Sequence, residues 1–168
     1  LYTRWFCQAG ANRLARCTLR CLPILIVASL LPKPYRLILP PDMGQFLLFL
    51  VSTFLALGVV VAFSMLMYIS LFYMLSSMGI RQITSAISDF LAGAIVPLPF
   101  FPEPVRAVVE LLPFAAMQNM PLRIYSGNIS GMDAVRGIVF QVLWLTALVF
   151  IGRLLMNHAL KRVIVQGG

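Results

Sequence analysis

Few residues of this chain could do chemistry, and Asp89 is the most informative of them. It lies eight positions, or about 12 Å of helix, beyond Arg81, in a stretch of mostly apolar and small residues. A carboxylate inside an apolar segment is rare, and it marks a polar path or a protonation site by default. With Ser85 one turn before it and Gly93 one turn after it, Asp89 is a candidate for lining a substrate path. The alternative is a structural carboxyl group that bonds to Ser85 or packs in its protonated form.

The remaining reactive side chains indicate no catalytic, cofactor or metal site. The sequence contains no G-x-x-x-x-G-K-[ST], H-E-x-x-H or G-x-S-x-G motif, so it lacks a phosphate loop and the common hydrolase signatures. One histidine, His158, and five carboxylates leave little for acid–base catalysis. Cys7, Cys17 and Cys21 lie near a basic end without a neighbouring histidine. We interpret them as free thiols that fill packing space rather than as zinc ligands.

An uncharged run points to the membrane. No charged residue occurs among the 38 residues between Asp42 and Arg81, and about 20 apolar residues already match the bilayer core. Of the 168 residues, 61% are hydrophobic and 11% are charged, whereas soluble proteins carry about 25% charged residues. The net charge of +8 would suit nucleic acid, but the basic residues cluster at the ends of apolar stretches. We therefore expect an integral membrane protein that does not bind nucleic acid.

The apolar stretches predict an all-α, polytopic membrane protein with about four transmembrane helices. An interfacial helix at the N-terminus leads into the first span, in which Pro23 predicts a kink or a late start. The third span has an apolar face and a face of small and polar residues, which favours packing or a cavity on that side. Ser130 is a good N-cap for the last helix. The predicted spans are about Leu14–Leu31, Phe46–Leu75, Ile80–Val96 and Val135–Asn157.

A proline-rich segment separates the last two spans. Residues 97–121 hold six prolines, which predict short helices at Pro104–Leu112 and Phe114–Asn119 and a turn at Pro121–Ser126. These pieces are too short to cross a bilayer, so we expect a helical hairpin that is re-entrant or lies in the interface. The aromatic residues flanking it could form an extracellular gate or anchor the hairpin at the interface. They are Phe100, Phe101 and Phe114.

The basic residues predict the orientation. With both termini in the cytosol, eight of the 13 basic residues lie inside, and four of the five acidic residues lie outside. This bias agrees with the positive-inside rule and with an even number of spans.

Several motifs, in order, resemble the permease subunits of type 2 ABC exporters, the ABC-2 transporter family. The resemblance is strong from about Gly79 to the end of the chain and weak before Gly44. The stretches that carry it are Phe90–Leu98, Phe100–Glu103, Leu111–Phe114, Pro121–Tyr125 and Val165–Gly168.

The resemblance implies a permease in a bacterial plasma (inner) membrane. A second permease, identical or homologous, would complete the substrate path, and a separate ATP-binding cassette subunit would bind ATP and Mg²⁺, so this chain itself would bind no cofactor. Residues 1–168 would form one transmembrane domain equivalent to the last four of the family's six spans, without the coupling helix. Residues 101–126 would be its extracellular-side hairpin. The alternative is a membrane scaffold or an inactive truncated permease, and an intramembrane enzyme is disfavoured because His158 has no catalytic partners.

Overall fold

The computed structural model describes residues 1–32, 42–70 and 77–161, except for the side chains of residues 77, 78, 80 and 81. The regular secondary structure in these ranges consists of six α-helices and one 3₁₀ helix at Leu98–Phe100, with no β-strand. This confirms the all-α prediction. The helices are α1 (Tyr2–Leu30), α2 (Met43–Ser70), α3 (Ser77–Leu91), α4 (Glu103–Leu111), α5 (Asn119–Tyr125) and α6 (Gly131–Leu160).

Two of the described helices, α2 and α6, are long and apolar enough to cross a membrane. Their 28 and 30 residues give lengths of about 42 and 45 Å, beyond the roughly 30 Å of a bilayer core. The arginines of α1 lower its apolar character, and the 15 residues of α3 measure only about 22 Å. Of the four predicted spans, therefore, two meet the criteria for crossing.

Some helix boundaries differ from the predicted ones. The first helix is continuous from Tyr2 to Leu30 with Pro23 inside it. The third ends at Leu91 rather than Val96, because Gly93 takes a positive φ of 82° that ends the helical path. The predicted end of the second span, at Leu75, lies outside the described residues.

Helices α2 and α6 pack side by side and run parallel. Ser52 on α2 bonds to Gln141 on α6, and Ile69 lies in one buried cluster with Met156. Residue numbers rise together along the two helices, so both begin at the same end of the molecule. The chain between them must therefore return along the whole length of α2.

The return path consists of α3 followed by the proline-rich hairpin. Ala92, just after α3, packs in a cluster with Val59 and Ala62 near the middle of α2. From there the hairpin reaches the beginning of α2, where Gln45 donates a hydrogen bond to the Ile124 carbonyl. Helix α3 thus follows α2 at a distance, and the hairpin packs against the first half of α2.

Of the two helices predicted in the hairpin, the first is present and the second is not. The first begins at Glu103, close to the predicted Pro104. The predicted helix Phe114–Asn119 is wrong, because hydrogen bonds such as Met117 N–H to Phe114 C=O span three residues and form successive turns instead. Helix α5 follows at Asn119, with Pro121 in its first turn, where a missing N–H has no intrahelical partner to lose.

Helix α1 contacts the rest of the fold mainly through its first half. Tyr2 is buried in the cluster that holds Met65 and Ile69 at the end of α2. By contrast, every residue from Leu14 to Val27 is exposed. The second half of α1 therefore stands away from α2 and leaves a space beside it.

Candidate substrate cavity

A cavity of about 970 Å³ occupies the space between α1, α2, α3 and the turn before α5. Its volume is at the upper end of the range for small-molecule sites. The walls are mostly apolar, and α2 contributes the largest share of the lining residues, from Phe49 to Tyr68. The hydrogen-bonding or charged side chains among them are Arg13, Thr53, Ser64, Tyr68, Gln82, Ser85, Ser88, Asp89 and Gln118.

The polar face of α3 lines this cavity, as its sequence pattern predicts. Ser85 and Asp89 are both in the lining, whereas Ile83 and Ile87 on the other face are not. Gly93 is not among the lining residues. It shapes the turn after α3 through its positive φ, and Ala92 lies against the cavity in its place.

The Asp89 side chain makes no hydrogen bond or ion pair with any residue that the structure describes. The bond to Ser85 that would give Asp89 a purely structural role is therefore not formed. Ser88, its neighbour, donates its hydroxyl hydrogen to the Thr84 carbonyl at 2.6 Å, a bond within the helix. The Asp89 carboxyl group thus lines a largely apolar cavity, and no described residue occupies its acceptor positions.

Arg13 reaches the same cavity from α1. Its guanidinium donates to the Ser64 hydroxyl oxygen at 2.8 Å and to the Val60 carbonyl at 3.4 Å. Both acceptors are neutral, so the contacts position the guanidinium without cancelling its charge. The sequence prediction treated Arg13 only as a topology signal.

The turn at residues 113–118 contributes Met117 and Gln118 to the cavity lining and lies against the middle of α2 and α6. Ala115 and Ala116 are 1% and 0% exposed. The Gln141 side chain, also 0% exposed, donates to the carbonyls of Ala116 at 2.9 Å and Ser52 at 3.1 Å, and it accepts from the Ser52 hydroxyl at 2.9 Å. Gln141 therefore joins α2, α6 and the turn at one point.

Two further side chains hold the hairpin by its backbone. The Trp144 indole N–H donates to the Leu111 carbonyl at 3.2 Å, and the Gln45 amide donates to the Ile124 carbonyl at 2.8 Å. The last carbonyls of a helix have no partner within it, so they need other donors wherever water is excluded. The hairpin is therefore held at both of its limbs and at its buried turn.

A sequence model of the ABC-2 family transporter proteins matches residues 22–167. The chain belongs to the ABC-2 transporter family. The resemblance found in its motifs is thereby confirmed, and it identifies a membrane permease component of an ABC transporter, which is a transport component rather than a catalytic one. Searches of curated proteins and of solved structures found no match.

The three phenylalanine rings of the predicted gate have different surroundings in this ABC-2 permease. Phe100 is 79% exposed. The Phe101 ring lies 5.2 Å from that of Phe90, and the Phe114 ring lies 5.2 Å from that of Phe63, measured between centroids. The structure does not bring the three rings into contact, and the gate stays a prediction.

The cysteines of the permease are free and exposed. Cys17 lines the cavity, one turn from Arg13. In the part of the chain that the structure describes, no three of His, Cys, Asp and Glu come together as metal ligands.

The residue that sequence reasoning missed most clearly is Gln141. A polar side chain in an otherwise apolar span was the available signal, since such residues commonly join helices in bilayers. Its partners could not be inferred, because they depend on the register between α2 and α6.

Proposed function

We propose that this chain is the membrane-spanning permease subunit of an ATP-driven exporter. It forms the substrate path together with a second permease, while a separate ATP-binding cassette subunit hydrolyses ATP. The observation that carries the proposal is the cavity itself: the polar face of α3, with the unpaired Asp89, faces the middle of the apolar helix α2. Family membership supplies the class of protein, and the cavity supplies a place for cargo.

We further propose four spans with both termini in the cytosol of a bacterium. The parallel direction of α2 and α6 supports this topology, because the segment between them has to recross the membrane once. Helix α3 alone is too short for that crossing, since it measures about 22 Å against a core of about 30 Å. The hairpin completes the crossing as a re-entrant element entering from the extracellular side.

The helix most suited to move during transport is α3. None of its described side chains is buried, whereas α2 and α6 share buried clusters along their length. Closure of two ATP-binding subunits in the cytosol would reach the cavity by shifting α3 against α2. This chain supplies the walls and the polar contacts, and nucleotide chemistry takes place on the partner.

The first test is a pull-down of the full-length protein in mild detergent, with mass spectrometry of the co-purified chains. A stoichiometric ATP-binding subunit is the expected result. Stable recovery without an ATPase would contradict the proposal and favour a membrane scaffold.

The second test uses the intact complex, reconstituted in liposomes. We expect Asp89→Asn to abolish substrate-stimulated ATP hydrolysis and export. Asp133→Asn is the matched control, because Asp133 lies on the first turn of α6, outside the cavity lining, and pairs with Arg136 at 2.9 Å. Equal activity of both variants across pH would exclude Asp89 from the path.

A further inference from the structure

Among the residues that the structure describes, the cavity lining holds one charge of each sign. Arg13 on α1 is the basic residue, and Asp89 on α3 is the acidic one. The other described lining side chains are neutral. Arg13 and Asp89 are not within ion-pair distance of each other, since neither occurs in a salt bridge among the described residues.

The two charges flank the same part of α2. Arg13 bonds to Val60 and Ser64. Asp89 lies three residues before Ala92, which packs with Val59 and Ala62. Arg13 and Asp89 therefore line the cavity at a similar level along α2.

The rest of the lining is uncharged among the described residues and mostly apolar. It extends along α2 towards Phe49 and Leu50, and Leu122 of α5 also lines it. From Ser64 to Leu50 the helix rises about 21 Å. A bound molecule therefore meets two opposite charges in one part of the cavity and a mostly apolar surface in the other.

These features select one class of ligand. A cationic amphiphile would meet an uncompensated Arg13, and an anionic amphiphile would meet an uncompensated Asp89. An unpaired charge in a largely apolar site is costly once a ligand excludes water from it. A molecule that carries both charges in one headgroup satisfies both residues at once.

We propose that the cavity binds a zwitterionic amphiphile. Its ammonium group meets Asp89, its anionic group (phosphate or carboxylate) meets Arg13, and its apolar tail lies along Phe49, Leu50 and Phe54. The proposal rests on the proposed function, because it names the substrate class of that path.

Binding to the full chain in a non-ionic maltoside detergent tests the proposal. The probes are single-chain amphiphiles with the same fluorescent acyl chain and different headgroups: zwitterionic lysophosphatidylethanolamine, anionic lysophosphatidylglycerol and a cationic alkylammonium. We expect the zwitterion to bind most tightly. A zwitterionic alkyl betaine, which carries a carboxylate in place of the phosphate, distinguishes the two sources of the anionic group.

The variants provide a charge-specific test. Each of Asp89→Asn and Arg13→Gln should weaken zwitterion binding roughly tenfold, the effect of losing one charge-assisted contact. Asp89→Asn should shift the preference towards the anionic probe, and Arg13→Gln towards the cationic probe. Arg13→Lys keeps the charge and should keep the zwitterion preference.

Asp133→Asn and Arg136→Gln are the matched controls, because they make the same chemical changes outside the cavity. The ratio of affinities for two probes is insensitive to a partial loss of folded protein, so a destabilised variant remains informative. Equal affinity for all headgroups would overturn the proposal, as would variants that behave like their controls. The binding assay needs no ATPase, so the two proposals can fail separately. If the chain recruits an ATPase but binds all headgroups with equal affinity, only the zwitterion proposal is wrong. If it binds the zwitterion selectively but recruits no ATPase, only the proposed export function is wrong.

Discussion

Gln141 and Asp89 both place a polar side chain among apolar helices, but their surroundings are opposite. Gln141 is fully buried, and its amide makes three hydrogen bonds that join α2, α6 and the hairpin turn. Asp89 lies at a cavity and makes no side-chain bond among the described residues. A polar group that is satisfied by the protein stabilises the fold, whereas one left unsatisfied at a cavity is available to a ligand.

The same contrast extends to whole regions. One side of the molecule consists of α2, α6 and the hairpin, which share buried clusters and backbone-directed hydrogen bonds. The other side consists of α3 and the second half of α1, whose described side chains are exposed or half-buried. We infer that the first region is the rigid frame of the permease and that the second is the part that responds to cargo.

The largest effect on stability should come from Gln141→Leu in the rigid frame. The change leaves the Ala116 carbonyl and the Ser52 hydroxyl without their buried partner, so we expect the free energy of unfolding to fall by about 2 kcal/mol. Denaturation followed by tryptophan fluorescence or circular dichroism in detergent measures it. Gln82→Leu, the same change at an exposed cavity position, is the control and should alter stability by less than about 0.5 kcal/mol. Similar losses for the two variants would remove the distinction between the regions.

A smaller loss should follow from Gly152→Ala, where α1 meets α6. A Cβ atom at this position would lie 2.7 Å from the Tyr2 hydroxyl oxygen and 3.0 Å from its Cζ atom. The rigid ring has to move away, and we expect a cost of about 1–2 kcal/mol. Gly10→Ala is the control, because nothing lies within 4 Å of its Cβ position. An unchanged melting temperature for Gly152→Ala would show that the first half of α1 is not packed against α6.

Local rules were enough to predict the helices whose boundaries depend on single residues. Pro104 indicated the beginning of α4 to within one residue, and Ser130 is the N-cap of α6, although its side chain makes no capping hydrogen bond. The same proline rule, applied to Pro121, places the beginning of α5 two residues late, because α5 begins at Asn119. The polar face of α3 could also be predicted, because helical spacing alone defines a face.

The rest of the site depends on contacts between distant segments. The partners of Gln141 and Trp144 follow from how α6 lies against α2 and the hairpin, and no local pattern encodes that register. Arg13 becomes a cavity residue only because α1 crosses α2 at Ser64. Gly93 was predicted to line the path from its helical spacing, but the helix ends before it.

An effect on stability smaller than that of Gly152→Ala is expected at Tyr2, which lies at the cytosolic end of the rigid frame in the proposed topology. Burial raises the pKa of its phenol above the usual value, and nearby Arg153 partly offsets this. The unfolded chain deprotonates near pH 10, so the stability from burying the neutral phenol is complete below pH 10 and is lost as the pH rises through the raised pKa. Tyr2→Phe should remove this alkaline loss, whereas Tyr68→Phe, at an exposed tyrosine, should keep it.

Tyr2→Phe also tests the packing at neutral pH. The Tyr2 hydroxyl is buried without a hydrogen-bond partner among the described residues. Removing it should raise the free energy of unfolding by up to about 1 kcal/mol. A clear loss of stability would indicate that the hydroxyl bonds to a group outside the described residues.

The smallest effect on stability should come from Asp89→Asn. This variant tests the contrast between Gln141 and Asp89 most directly. The two side chains have nearly the same shape, and the carboxylate has no bond to lose, so we expect a change of less than about 0.5 kcal/mol. In the reconstituted complex the same variant should lose substrate-stimulated ATP hydrolysis. A loss of stability as large as that of Gln141→Leu would make Asp89 a structural residue of the same kind as Gln141. A variant with unchanged stability and no transport would show that α3 presents Asp89 to the cargo rather than to the fold.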